Sequence, residues 1–232
     1  MKIAFVADLH GNMPAVEALD RDIKRRGIDT IVFLGDAIGK GPSNAETCDW
    51  VRENCSMCVG GNWDWGISKK QFPKDNYFWE QLGDERMSWL SSLPGQLGIW
   101  ISGIHFRLLH GRPVTELICG DASSDFLKST LTDGIETFSG VICADSHRPF
   151  LRVVHGAYVM NTGSVGNSLG VPNVHYLIID GEIDSHEKAP VDFVFPAVPY
   201  DNDAAAQLAR HDRNLPHQES YIKEVLTGIY SR

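Results

Sequence analysis

Seven side chains able to bind a cation sit where apolar runs of this chain end: Asp8, His10, Asp36, Asn62, His110, Asp145 and His147. They comprise three carboxylates, one carboxamide and three imidazoles. That mixture suits manganese, iron or zinc better than calcium or magnesium. Seven donors are too many for one ion of four to six ligands. They match two ions that share a carboxylate. Two ions roughly 3.5–4 Å apart activate water and clamp an in-line displacement at phosphorus. Each residue alone has a plainer use, since a strand-terminal aspartate often caps a helix and a lone histidine often packs. Their recurrence at one kind of position is what points to a shared site.

The elements that must position them follow from the hydrophobic pattern. Residues 3–7 are an apolar run leading into Asp8-Leu9-His10-Gly11-Asn12, which reads as a buried strand with a polar cluster at its carboxyl end. Open α/β sheets keep their ligands at that end. A helix follows, with Pro14 in its first turn, Val16, Leu19 and Ile23 on one face, and Lys24-Arg25-Arg26 before Gly27. Residues 30–34 read as a second strand running into Gly35-Asp36. Strand, helix and strand form a βαβ unit, so Asp8 and Asp36 are expected at the same end of parallel neighbours. After Gly39-Lys40-Gly41-Pro42, a helix starts from a Ser43 or Asn44 cap and runs to about 54. A short strand over 56–59 leads to Gly60-Gly61-Asn62-Trp63-Asp64. Residues 65–95 read as irregular, with helix over 76–82 and 85–91. A hairpin turning at Ser102-Gly103 ends in His110, and a helix is read over 124–132. The strand 140–143 runs into Asp145 and His147, and further strands are read over 151–154, 158–161, 175–180 and 191–194. Asp203 reads as the cap of a late helix and Gly228 as the stop of another.

The chain has 232 residues, 43% hydrophobic and 22% charged, which is ordinary for a soluble globular protein. No repeat or linker interrupts it, so residues 1–232 read as one domain with a helical tail over about 203–232. The net charge of -9 argues against stable nucleic-acid binding, which wants a basic face. It allows a phosphate substrate, because metal ions supply local positive charge. No apolar run approaches the roughly 18 residues of a membrane span. The first residues form a strand rather than a signal peptide, so a cytoplasmic protein is expected. Five scattered cysteines, Cys55 and Cys58 among them, read as reduced structural thiols. Leu208, Ile222, Val225 and Leu226 in the tail leave open whether it packs on the domain or on a second copy in a homo-oligomer.

The ordered blocks Asp8-Leu9-His10-Gly11-Asn12, Gly35-Asp36, Gly61-Asn62-Trp63-Asp64, His110-Gly111 and Ala144-Asp145-Ser146-His147 resemble those of the calcineurin-like metallophosphoesterase superfamily. The resemblance is to its small bacterial and archaeal phosphodiesterase branch, diadenosine tetraphosphatase-like. Gly35-Asp36-Ala37-Ile38-Gly39-Lys40-Gly41-Pro42, Leu93-Pro94 and Asn161-Thr162-Gly163-Ser164-Val165-Gly166 also fit its lesser motifs. The resemblance implies a four-layer α/β/β/α sandwich of two mixed β-sheets flanked by helices. It implies a first metal on Asp8, His10, Asp36 and His147, and a second on Asp36, Asn62, His110 and the residue at 145. It also implies a bridging hydroxide as nucleophile, with Asp36, Asn62 and Asp64 counted as catalytic and Asp64 orienting a metal-bound histidine. Manganese is the expected ion, with iron, zinc, magnesium or nickel as alternatives.

Two departures from the family pattern fall at chemically important positions. Trp63 stands where the superfamily has a histidine thought to protonate the leaving oxygen, and an indole donates no proton at useful pH. General acid catalysis contributes roughly 10²–10⁴-fold, so good leaving groups are favoured here. Trp63 reads either as a stacking platform for a base or aryl group or as a plain wall. Asp145 replaces a metal-binding histidine, which makes the site harder and more acidic, or leaves the second position weak if the carboxylate swings away. Lys40 replaces a tyrosine near the pocket mouth, where it either meets a phosphate or is simply solvated. Asn12 and Arg112 are candidate substrate contacts, Arg112 through a guanidinium fork to phosphate. Ser164 follows Gly163 directly, so it does not make a G-x-S-x-G nucleophile. The expected function is hydrolysis of a phosphodiester or dinucleoside polyphosphate on a small nucleotide-like substrate. The alternatives are a phosphomonoesterase or protein phosphatase, and a degenerate nucleotide- or metal-binding member with little turnover.

Overall fold

The computed structural model describes residues 1–71, 75–111 and 117–231. The first sheet begins with β1 (Lys2–Val6), followed by α1 (Met13–Arg25), β2 (Thr30–Phe33), α2 (Asn44–Asn54) and β3 (Met57–Cys58). Next come α3 (Asn62–Ser68), α4 (Asn76–Ser92), β4 (Gln96–Ile101), β5 (Ile104–Leu109), α5 (Ser124–Ser129), β6 (Gly140–Cys143), β7 (Phe150–Val154) and β8 (Ala157–Asn161). The chain closes with β9 (Val174–His175), β10 (Leu177–Asp180), β11 (Asp192–Val194), β12 (Ala197–Val198), α6 (Asn202–His211) and α7 (Gln218–Thr227).

One sheet has the order β11-β10-β1-β2-β3 and the other β4-β5-β6-β8-β7. Each is mixed. β1, β2 and β3 run parallel, as do β5, β6 and β8, while β10 pairs antiparallel with both β1 and β11, β4 with β5, and β7 with β8. The period-two pattern of β1 explains the layering. Ile3, Phe5 and Ala7 enter the core between the sheets, together with Phe106, Leu108, Ile142 and Met160. Ala4 and Val6 face the other way, onto Val16 and Leu19 of α1 and Phe78 of α4. Both faces of β1 are covered, which is why it reads as a continuous apolar run. On the far side, Val141, Cys143 and Val159 pack on Leu127 of α5. The result is helix, sheet, sheet, helix, as the sequence implied.

α1 forms for the reasons legible in sequence. Asn12 caps it by accepting from the Ala15 N–H at 3.3 Å, proline sits in the first turn, and Lys24 and Arg25 close it. Val16, Leu19 and Ile23 are buried on its inner face, each contributing about 2 kcal/mol.

Several boundaries differ from the sequence reading. Residues 62–68, read as loop and irregular chain, form α3. The helix over 76–92 is continuous in pattern but broken at Gly83, whose φ is 66°. The single strand expected over 175–180 is two strands: β9 pairs with β12, and β10 with β1 and β11. Tyr176 separates them, buried and donating its hydroxyl to Asp22 of α1 at 2.7 Å. β12 had no local signal. Asp201, not Asp203, caps α6, accepting from the Ala204 N–H at 2.8 Å. Gly228 ends α7 in the left-handed conformation, as read. Among the described residues no helix is long and apolar enough to cross a membrane.

Candidate metal centre

The carboxyl ends of the parallel strands from both sheets meet at one place. Asp8 and His10 follow β1, Asp36 follows β2, His110 follows β5, and Asp145 and His147 follow β6. Five of these six residues have positive φ: Asp8 55°, His10 48°, Asp36 61°, Asp145 66° and His147 57°. Such a conformation costs a residue with a Cβ about 1–2 kcal/mol, and it redirects a side chain that a strand would send to the opposite face. The surrounding hydrogen bonds hold the turns in place. The Asp36 carbonyl accepts from the Leu9 N–H at 2.8 Å and the His10 N–H at 3.2 Å. The loop after β8 closes on the same turn: the Gly166 N–H and the Ser164 hydroxyl both donate to the Asp8 carbonyl at 2.9 Å. Ser164 is therefore buried scaffold, in keeping with its exclusion as a nucleophile.

All three histidines are prepared in the same way. His10 Nδ1 meets the Ile38 carbonyl at 3.1 Å, His110 Nδ1 the Leu34 carbonyl at 2.7 Å, and His147 Nδ1 the Asn167 carbonyl at 2.6 Å. A carbonyl can only accept, so each Nδ1 carries a proton and each Nε2 faces inward, where the neutral ring offers its lone pair. There His10 Nε2 lies 3.2 Å from His147 Nε2, an approach of two acceptors that wants a cation between them. Both oxygens of Asp8 are buried without a hydrogen bond among the described residues, an arrangement costing several kcal/mol unless a positive charge answers it. Asp8 Oδ1 is 3.5 Å from His147 Nε2 and 3.8 Å from His110 Nε2, and Asp36 Oδ2 is 3.3 Å from His110 Nε2. Two compact groups result, Asp8 with His10 and His147, and Asp8 with Asp36 and His110. The donor set fits divalent cations.

The remaining expected site residues divide. Asn62 is exposed and brings its Oδ1 to 3.1 Å from His110 Nε2. Asp145 is at the rim: its side chain is 27% exposed, it lies 3.7 Å from His110 Nε2, and it joins neither compact group. Asp64 does not orient a histidine. Its buried carboxylate accepts from three backbone N–H groups, Asp36 at 2.8 Å, Ala37 at 3.0 Å and Gly61 at 3.0 Å, and so shapes the turn that aims Asp36. Gly61 is obligatory beside it, because a Cβ there would collide with the Asp36 carboxylate and the Asp36 backbone nitrogen. Trp63 donates its backbone N–H to Asp36 Oδ1 at 2.9 Å, while its indole lies over Gly39 and edge-on to His10 at 5.9 Å. Asn12 is not free for a substrate: its amide caps α1 and donates to the Gly166 carbonyl at 2.7 Å and the Tyr200 hydroxyl at 3.2 Å. Lys40 lines the cleft as read but is not solvated; it is 6% exposed and donates to Asn167 Oδ1 at 2.6 Å. Arg112 lies outside the described residues.

A family profile described as the calcineurin-like phosphoesterase superfamily domain matches residues 1–184. The chain belongs to the calcineurin-like phosphoesterase superfamily. It is 29% identical over 205 residues to an uncharacterized protein of Methanocaldococcus jannaschii, covering 77% of this chain and 82% of that protein. A stretch of 45 residues, 19% of this chain and 24% of the relative, is 40% identical to phosphodiesterase YfcE of Escherichia coli. The solved metallophosphoesterase of Sphaerobacter thermophilus matches with a TM-score of 0.77 at 25% identity, covering 99% of this chain and 100% of that one. The protein is thus a hydrolase of phosphoric esters from a family that depends on divalent metal.

Electrostatics in this phosphoesterase centre follow from burial and crowding. Burial pushes Asp8 well above the usual carboxylate range, with Asp36 and Asp145 adding to it and His110 opposing. Burial also works against charge on His110, but Asp36, Asp8 and Asp145 outweigh it and hold its pKa well above that of a free imidazole. Burial, then the Lys40 charge, push His147 well below, which keeps it a neutral donor. Burial and the neighbouring Asp36 raise Asp64 to about 7, against the hydrogen bonds it accepts. A cleft of about 360 Å³ opens onto the centre, lined in part by Trp63, Asp145, His147, Arg148 and Tyr230. Sequence reasoning missed Asn167, whose carbonyl aims His147; its position just beyond Asn161-Thr162-Gly163-Ser164-Val165-Gly166 was the available signal.

Proposed function

We propose that this protein is a metal-dependent phosphodiesterase acting on a small nucleotide-like substrate, a phosphodiester or a dinucleoside polyphosphate. The observation that carries the reading is the buried group of Asp8, Asp36 and three inward-facing histidines, with the Asp8 carboxylate lacking a hydrogen bond among the described residues, opening into a cleft walled by Trp63. Asp8, His10, Asp36 and His147 would hold one divalent ion, and Asp36, Asn62, His110 and Asp145 a second. Bound there, the ions supply Lewis acidity, lowering the pKa of water and neutralising charge that builds at phosphorus. The oxygen-rich second set, with Asp145 in place of a nitrogen donor, favours manganese or iron(II) over zinc.

The chain's own residues do the rest. Asp36 is held by its backbone through Asp64 and by the Trp63 N–H through its carboxylate, so its second oxygen stays directed at the histidines. Arg148 stands exposed on the cleft wall, where a guanidinium fork meets phosphate oxygens. The indole of Trp63 and the ring of Tyr230 offer flat faces for a base or an aryl group. An indole gives no proton to the departing oxygen. The reading therefore favours leaving groups that depart as stable anions, such as a nucleotide phosphate or an aryl oxide.

A second reading, a nucleotide- or metal-binding member with little turnover, is favoured by one observation: Asp145 sits at the rim, outside both compact groups. One experiment separates them. Metal-stripped protein is given manganese and assayed with bis-p-nitrophenyl phosphate and p-nitrophenyl phosphate. The proposal expects manganese-dependent cleavage, faster on the diester. Manganese binding without cleavage of either ester, or of symmetric dinucleotides, would shift the assignment to the binding member.

A further inference from the structure

Glu224 lies on α7, in the C-terminal helical hairpin beyond the residues that the family profile matches. Its side chain is 0% exposed. A carboxylate so buried needs partners. Oε1 accepts from the Ser231 N–H at 3.0 Å. Oε2 has no hydrogen bond among the described residues and lies 3.5 Å from Lys40 Nζ, an ion pair shielded from water on both sides. Lys40 belongs to the loop after Asp36 and also lines the catalytic cleft. Its Nζ donates to Asn167 Oδ1 at 2.6 Å. The Asn167 carbonyl accepts from His147 Nδ1 at 2.6 Å, and the Asn167 N–H donates at 2.8 Å to Ser164 Oγ, which itself donates to the Asp8 carbonyl. A continuous path thus runs from α7 through Lys40 and Asn167 to two residues of the centre.

An ammonium buried beside a cation site works against the cation unless its charge is answered. Glu224 answers it. We propose that Glu224 is a positioning residue of the metal centre: it neutralises and holds Lys40, so that Lys40 pins Asn167 and Asn167 aims His147. The C-terminal hairpin is by this account a working part of the site and not an appendage. The inference rests on His147 being a metal ligand, as proposed above.

The test is calorimetric titration of manganese into metal-stripped full-length protein, with thermal unfolding of each variant measured alongside. Glu224→Gln is expected to lower manganese affinity about tenfold, the low end for loss of a group that orients a ligand. Glu224→Asp, which keeps the charge with a shorter reach, loses less. Tyr221→Phe, buried on the same helix, leaves affinity unchanged. In a Lys40→Met background, Glu224→Gln costs nothing further, because its effect passes through Lys40. Unchanged affinity in Glu224→Gln overturns the inference. So does an equal loss in both backgrounds, or a matching loss in Tyr221→Phe. Should Glu224→Gln not fold, Glu224→Asp carries the same cycle. Failure of the wild-type protein to bind manganese would overturn the reading of the centre itself, whereas normal wild-type binding with insensitive Glu224 variants would overturn this inference alone.

Discussion

Asn12→Ala distinguishes a scaffold amide from a substrate contact. Asn12 is 1% exposed, and its side chain makes three hydrogen bonds, to the Ala15 N–H, the Gly166 carbonyl and the Tyr200 hydroxyl. Losing the cap of α1 costs about 1 kcal/mol. Stranding the buried Gly166 carbonyl costs about 1–3 kcal/mol. The Tyr200 bond, at 3.2 Å, is the weaker of the two that Nδ2 donates and is left out of the sum. The total is about 2–4 kcal/mol, and at about 2–4 °C per kcal/mol for a chain of this size the melting temperature should fall on the order of 10 °C. Circular dichroism melts of metal-stripped protein measure that fall. Initial rates on bis-p-nitrophenyl phosphate, taken well below the melting temperature, should show KM within about twofold of wild type. A variant that melts within about 2 °C of wild type but has KM raised about tenfold would refute the scaffold assignment and restore Asn12 as a substrate residue.

Trp63→His places a protonatable ring beside the centre; kcat/KM should rise at least about tenfold on alkyl phosphodiesters and stay level on p-nitrophenyl esters, and equal gains on both would sink the leaving-group argument. Asp145→His removes a negative charge and adds a nitrogen donor, so zinc should gain on manganese in competitive titrations; unchanged metal preference together with unchanged turnover would count against a weak second position. Burial pushes the Asp22 carboxyl up, but hydrogen bonds from Arg25, Arg26 and Tyr176 outweigh it and hold it below its ordinary value. A depressed carboxylate contributes stability that is present above the unfolded value near about 3.9 and lost as pH falls through the folded one. Asp22→Asn should therefore flatten the acid limb of stability against pH, as read by urea midpoints from pH 6 to pH 3, and a limb as steep as that of wild type would show that Asp22 is not its source.

The fold was legible where local pattern and burial agree. β1 and β2 are covered on both faces, so their apolar runs announced them, and the residues next in the chain were then necessarily at the sheet's carboxyl edge. α1 carried its own cap, its apolar stripe and its stop. The run from Val174 to Asp180 shows the limit. It reads as one stretch through Tyr176, and nothing local says that its two halves pair with different strands, because a strand's partner is chosen by packing and not by its own residues.

The centre divides along the same line. Sequence determined which residues could bind metal and that they end strands, since residue type and the apolar-to-polar boundary are local properties. Tertiary structure decided what each residue serves. Asp64 reaches backbone groups of a turn 27 and 28 positions away, Lys40 bonds Asn167 across 127 positions, and Glu224 meets Lys40 from a helix near the other end of the chain. Such partnerships depend on how two sheets and a helical hairpin close on one another. The side chains involved are short polar groups that would be equally at home as caps or on the surface, and only the burial imposed by that closure commits them to each other.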